Sequence, residues 1–306
     1  MTVPTAGELR RIAGRSEAMR LLRGRVMRLR ASLAPAGPPP RILVNSMPKA
    51  GTHLVMQALD SFPQIRASGI HIGIKPILKA SAEGPRRDAS IPGSDLDWLA
   101  VRDLLGQAKY GQYVTAHLEP YEQFLEALAD LEYKVIVVVR DPRDVAVSAI
   151  SYIKRLRRHP RHRRFEGHAS DRDRMESFIS GYDPDELGRG FPSLRVRLER
   201  FRPWLDAPGT LVCRYEDLVG ERGSGSGEAQ MRTIRAIAEH INRPGTDQTL
   251  RRVARRTWST RSATFRAGTT GEWRDHFDPA LGTLFEREVS SELLASYGYA
   301  RNHGDD

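Results

Sequence analysis

Short apolar runs alternate with stretches of helical spacing along most of the chain. Ile42-Leu43-Val44 is followed by a glycine-bearing turn and by Leu54, Val55, Ala58 and Leu59 at helical intervals. Tyr113-Val114-Thr115-Ala116 precedes a helical face of Tyr121, Phe124, Leu125, Leu128 and Leu131. Val135-Ile136-Val137-Val138-Val139 is an unbroken β-branched run, the pattern of a strand covered on both faces. Asp141-Pro142 then supplies an N-cap and a first-turn proline for the next helix. Leu211-Val212-Cys213 is a fourth strand candidate. Helices carrying Met231, Ile234, Ala238 and Ile241, and later Leu281, Leu284 and Phe285, follow it. Alternation of this kind predicts an α/β fold: a single domain with a central parallel sheet flanked by helices. Ligands of such sheets sit at the carboxyl ends of strands, which selects the segments after Val44, Ala116, Val139 and Cys213.

Three segments lack this pattern. Residues 78–95 and 155–190 read as polar loops, the second a long basic loop or lid, and Gly223 to Gly227 as a flexible connector. Residues 8–33 read as a basic helix, with Ile12, Met19, Leu22, Val26, Leu29 and Leu33 as its apolar stripe. A proline-rich spacer ends it. The expected organisation is therefore an arm over 1–39 and a catalytic domain over 40–306. The arm either packs on the domain with a solvated arginine face or makes peripheral contact with an acidic membrane.

Lys and Arg number 48 against 38 Asp and Glu, a net charge of +10. That excess favours anionic partners without choosing among them. Cys213 is the only cysteine, so neither an internal disulfide nor a cysteine-only metal cluster can form. With no secretory pattern and no long apolar run, the expected setting is cytoplasmic.

Two segments carry the chemistry. Lys49-Ala50-Gly51-Thr52-His53-Leu54 follows the first strand and opens a helix. Such a turn presents backbone N–H groups and the positive end of a helix to an anion, and Lys49 adds a cation. It is a P-loop-like loop without the Walker order, because the lysine precedes the glycine. Alone, it is equally a plain strand-to-helix turn. In the second segment Arg140 ends the most hydrophobic strand. Ser148 lies early in the following helix, and its side chain leans back toward that strand end. An arginine with a hydroxyl can grip a second phosphate.

At these segments the chain resembles the cytosolic-type sulfotransferases that use 3′-phosphoadenosine-5′-phosphosulfate (PAPS). Pro48 to Thr52 resembles that family's phosphosulfate loop, and Arg140 to Ser148 its 3′-phosphate segment. Arg214-Tyr215-Glu216-Asp217-Leu218 and Arg266 to Arg274 resemble two later motifs, in the family's order. The resemblance implies in-line sulfuryl transfer to an acceptor hydroxyl or amine, with PAPS as donor and no metal. It implies that Lys49 contacts the bridging oxygen and that residues 50–54 (Ala50, Gly51, Thr52, His53, Leu54) hold the 5′-phosphate. Arg140, Ser148, Arg266, Ala267 and Gly268 then hold the 3′-phosphate, Ser148 also restraining Lys49. Tyr215 approaches the adenine side. His117, after the second strand candidate, stands about where the family keeps its catalytic base; without the resemblance, a structural histidine is the other reading. The family often has tryptophan where Leu54 stands, so Trp258 is the candidate for an aromatic wall, and Ala267 replaces a customary lysine.

The acceptor is a small molecule, lipid or sugar that the sequence leaves open. The alternatives are a P-loop-type nucleotide kinase, which lacks its Walker lysine here, and a basic nucleic-acid-binding protein, for which no recognisable module is present. His159, His162 and His168 read as solvated loop residues.

Overall fold

The structure is a computed structural model that describes residues 40–74, 77–79, 93–157, 159, 161–183, 190–258 and 268–300. The arm expected over 1–39 lies outside the described residues.

Five strands form one sheet: β1 (Arg41–Ser46), β2 (Arg66–Ile72), β3 (Gln112–Ala116), β4 (Tyr133–Val139) and β5 (Thr210–Arg214). Their order is β2-β3-β1-β4-β5 and every pairing is parallel. β1 lies at the centre, with Val44 opposite Thr115 of β3 and Ile136 of β4. A central strand buries both faces, which is why its apolar residues are consecutive. Alternate residues then serve two cores. Ile42, Val44, Ile136 and Val138 join one face with α1 (Thr52–Leu59), α9 (Gly227–His240) and α10 (Asp247–Thr257). Leu43, Val135, Val137 and Val139 face the other layer, with α3 (Glu122–Asp130), α4 (Pro142–Arg155), α6 (Asp171–Ser180) and α7 (Leu194–Phe201).

The four expected strands are present, and so are the helices expected behind them. The fifth strand, β2, gave no signal. Its sequence Arg-Ala-Ser-Gly-Ile-His-Ile is an edge strand with partial burial, a glycine, and a register shift between Ala67 and His71.

Two loop expectations are corrected. Within 155–190, α5 (His162–Glu166) and α6 form, and Tyr182 bridges to Phe191. Phe165, Met175, Phe178 and Ile179 are buried in the core, and arginines on aromatic faces add to the packing. Arg161 lies 4.0 Å from the Phe191 ring centre and Arg164 3.8 Å from that of Tyr182. Gly223 to Gly227 is a packed turn, not a flexible connector. A Cβ at Gly225 would press to 2.7 Å on the Glu216 carbonyl oxygen, and one at Gly223 would meet the Gly268 carbonyl. Ser226 of the same segment caps α9. Of residues 78–95, the described part pairs Leu78 with Leu96 and forms a short turn at Gly93–Asp95.

Candidate active site

The loop between β1 and α1 makes a sharp reversal. Lys49 has φ +75° and Gly51 φ +112°. The first conformation costs a lysine roughly 1 kcal/mol or more, a strain usually held only where surroundings enforce it. Gly51 has no substitute: a Cβ there would stand 2.5 Å from Cδ2 of Tyr215. No side chain caps α1; Leu54 N–H bonds the Gly51 carbonyl at 2.9 Å, and the Thr52 and His53 N–H groups precede that bond at the helix start. Thr52 is buried and its hydroxyl shares a 2.6 Å hydrogen bond with Ser46, while His53 is exposed and Leu54 half-buried. Lys49 Nζ lies 4.1 Å from the ring centre of Tyr152 on α4, one helical turn beyond Ser148. Tyr152 had not been expected at the site.

The second cradle lies at the end of β4. Arg140 is buried, with its guanidinium 4.0 Å from the Tyr215 ring centre. Its Nη2 donates to the Thr269 carbonyl (3.1 Å) and stands 3.7 Å from the Asp144 carboxylate. Its Nε is buried without a hydrogen-bond partner among the described residues. Tyr215, the first residue of α8 (Tyr215–Leu218), thus touches Gly51 on one side and Arg140 on the other. Its ring is buried between the first loop and the end of β4. Ser148 is half-buried on α4.

Asp144 was missed. Its fully buried carboxylate accepts the N–H groups of Gly271 (2.8 Å) and Trp273 (2.9 Å), which ties the C-terminal loop to the start of α4. Glu216 ties the same helix start, accepting Asp141 N–H and the Tyr299 hydroxyl. Gly268 has φ +70° and its carbonyl accepts Trp258 Nε1–H at 3.0 Å. Trp258 therefore braces that loop. Beyond it, Trp258 lines a cavity of about 250 Å³ with Arg222, Met231, Arg251 and Arg255. Arg266 and Ala267 lie outside the described residues.

His117 follows β3 and its position is fixed from both sides. Asn45 on β1 exchanges two hydrogen bonds with Leu118, one to its carbonyl and one from its N–H. His117 Nδ1 is 2.7 Å from the Ser46 carbonyl oxygen. A carbonyl only accepts, so Nδ1 carries the hydrogen and Nε2 of the neutral ring keeps its lone pair. Burial, and next the neighbouring His71, push the pKa of His117 down to about 4, with smaller contributions from His53 and Lys49. His71 is another residue missed in the sequence. It sits on the unrecognised strand β2, edge-on to His117 at 5.1 Å between ring centres, with Nδ1 2.9 Å from the Thr115 hydroxyl.

Lys49 and His117 share one cavity of about 280 Å³. Its wall includes Met47, Leu118, Tyr152, Phe178, Phe191 and Phe201. His159 also lines it, and His162 is buried, bonded to the Ile153 carbonyl and Glu166, so neither is the solvated residue expected. Among the described residues no three His, Cys, Asp or Glu side chains are grouped to hold a metal, and no helix is long and apolar enough to cross a membrane.

Comparison with known proteins identifies the family. The profile of the family described as the sulfotransferase domain matches residues 39–297. Sulfotransferase 1A1 of Bos taurus is 24% identical over 285 residues, covering 83% of this chain and 84% of that protein. The crystal structure of mouse sulfotransferase SULT7A1 complexed with PAP has TM-score 0.55 at 18% identity, over 89% of this chain and 94% of that one. Retinol dehydratase in complex with androsterone and inactive cofactor PAP has TM-score 0.51 at 17% identity, over 84% and 81%. These structures share the fold, and the kinase and nucleic-acid-binding alternatives are not favoured. The match over residues 39–297 makes the chain a member of the sulfotransferase family, and with it a PAPS-dependent sulfotransferase.

Proposed function

We propose that the two cradles joined by Tyr215 hold the two phosphate ends of PAPS, and that His117 and Lys49 carry the transfer to a small-molecule acceptor. The observation behind this is the single tyrosine ring lying between Gly51 and Arg140. The residues fit the donor: α1 offers uncapped N–H groups, and the buried Nε of Arg140 is a donor still to be satisfied. When bound, PAPS supplies an activated sulfuryl group on a phosphate leaving group.

The roles of the chain's own residues follow from their positions. Residues 50–54 hold the 5′-phosphate at the start of α1. Arg140, Ser148 and Gly268 surround the 3′-phosphate; the family resemblance adds Arg266 and Ala267, which lie outside the described residues. Leu54 and Trp258 are the apolar and aromatic sides for adenine. Lys49 stands at the cavity end of its loop and offsets charge on the departing phosphate oxygen. Its seat on Tyr152, one turn from Ser148, gives the ammonium a resting place on α4. His117 receives the acceptor proton at Nε2, while Nδ1–H stays anchored on the Ser46 carbonyl. Tyr152, Phe178 and the other apolar lining residues exclude water and orient the acceptor. The androsterone complex of a related fold supports an acceptor of small-molecule size.

The test has two parts. PAP should bind the purified chain, and radiolabelled PAPS incubated with a metabolite extract should yield a labelled product that mass spectrometry identifies. Absence of PAP binding would overturn this reading.

A further inference from the structure

The loop that begins at Gly268 is held by more than α4. Arg140 donates to the Thr269 carbonyl, and Asp144 accepts the Gly271 and Trp273 N–H groups. A second support comes from the glycine-rich turn after α8. Gly223 is buried at the end of a short 3₁₀ turn, Glu221–Gly223, against the Gly268 carbonyl. The carbonyl of the following residue, Ser224, accepts the Thr270 hydroxyl at 3.4 Å.

The turn is closed on itself and seated on α8. The Gly220 carbonyl accepts the N–H groups of Gly223 (3.0 Å) and Gly225 (2.9 Å). Gly225 packs on the Glu216 carbonyl, within α8. That helix begins with Tyr215, whose ring meets the Arg140 guanidinium, and Arg140 donates to the loop. The contacts run from α8 through the turn to the loop, and back through Arg140 and Tyr215 to α8.

At Gly223 this circuit is one backbone thick. A Cβ added there would collide with the Gly268 carbonyl oxygen on one hand and stand 2.6 Å from Cβ of Val219 on the other. Val219 Cβ is fixed by its own backbone, so no rotamer moves it away. The end of α8 is the stiffer neighbour, since Val219 N–H bonds the Tyr215 carbonyl and Leu218 is wholly buried. The irregular loop is what yields, and a close-packed contact passes on the displacement of even one methyl. A side chain at this position therefore moves Gly268 relative to Arg140.

We propose that Gly223 is a positioning residue for the donor's 3′-phosphate. Its missing side chain lets the Gly268 loop settle at the distance from Arg140 that a phosphate spans, and so makes the enzyme select a 3′-phosphorylated nucleotide. This rests on reading Arg140 and Gly268 as the 3′-phosphate cradle.

The test uses the full-length chain with PAP and 5′-AMP, which lacks the 3′-phosphate, as paired ligands read by calorimetry. The parent should bind PAP more tightly than AMP. Gly223→Ala should lower the PAP-to-AMP affinity ratio about tenfold or more, since a misplacement of about 1 Å at a positioned contact can cost up to ~10²-fold. Its AMP affinity should stay near the parent value. Gly209→Ala supplies the comparison for lost stability alone: its φ of +71° is strained for alanine, but its Cβ meets open space. That variant should keep the parent ratio. Amide exchange of the parent carries the same test without a substitution. Saturating PAP should slow exchange in residues 220–225 and saturating AMP should not, because a turn that favours 3′-phosphate binding is stabilised by it in return. If Gly223→Ala does not fold, the exchange measurement decides. An unchanged ratio in folded Gly223→Ala, or equal exchange in the turn with the two nucleotides, overturns the inference and leaves the 3′-phosphate cradle standing. A parent that binds PAP no more tightly than AMP strikes the cradle reading itself, and this inference with it.

Discussion

At the scale of single residues, two side chains separate chemistry from binding. His117→Ala should lower turnover by ~10²-fold or more, because one positioned base contributes about that much, with PAP affinity retained. Steady-state kinetics beside PAP calorimetry check it, and unchanged turnover removes His117 from the mechanism. Arg140→Ala should weaken PAP binding by about 1.5–3 kcal/mol, the worth of a hydrogen bond to a charged group. Equal affinity in variant and parent refutes that role. Gly51→Ala meets both a positive φ and the Tyr215 ring, so it should disturb both cradles at once. PAP affinity should fall in Gly51→Ala, and a parent-like value would show that the ring can move aside at little cost. The candidate residues of the first loop and of Arg140 were legible because their chemistry is local: a cation, a turn glycine and a strand end lie within a few positions. His71 was not legible. It is far from His117 in the chain and lies on a strand whose polar, glycine-containing sequence has no strand periodicity.

At the scale of elements, the C-terminal loop and α4 form one unit. Asp144 holds Gly271 and Trp273, Arg140 holds Thr269, and Arg143 lies 4.0 Å from the Trp273 ring centre while bonded to Asp141. Asp144→Asn keeps the shape but places an amide where two N–H groups need acceptors. That leaves one donor facing a donor, at a cost of about 1–3 kcal/mol for the buried mismatch. Chemical denaturation should show that loss, and PAP affinity should fall with it because the 3′-phosphate loop loosens. Full stability in the variant would show that the loop is held elsewhere. Sequence alone placed the aspartate in the first turn of a helix. Only the fold shows that its partners come from more than a hundred residues away. The basic segment 155–190 was misread for a related reason. Its few apolar residues, Phe165, Met175, Phe178 and Ile179, stand among many charges and are buried by partners distant in the chain, with arginines stacked on the aromatics beside them.

For the molecule as a whole, the buried histidines set a pH signature. His117 has a folded pKa of about 4 against an ordinary 6.5, and His159 is lowered to about 4 as well. Between those values the unfolded chain binds more protons than the native one, so stability rises with pH across that window and is lost as pH falls from about 6.5 toward 4. Denaturant midpoints at pH 7 and pH 5 should differ in that direction, and His117→Asn should reduce the difference. A flat profile would show that His117 is not buried as a neutral ring. By itself the sequence determined the strand runs at the sheet centre, the helices behind them and the two candidate phosphate segments. Each of these is written in neighbouring residues, as periodicity, β-branching or a capping pair. Tertiary structure decided the edge strand β2, the Tyr215 ring between Gly51 and Arg140, the Asp144 clamp and the cavity that Lys49 and His117 share. Those features depend on residues that meet only when parallel crossovers bring distant strand ends together, and no local pattern encodes which of them will touch.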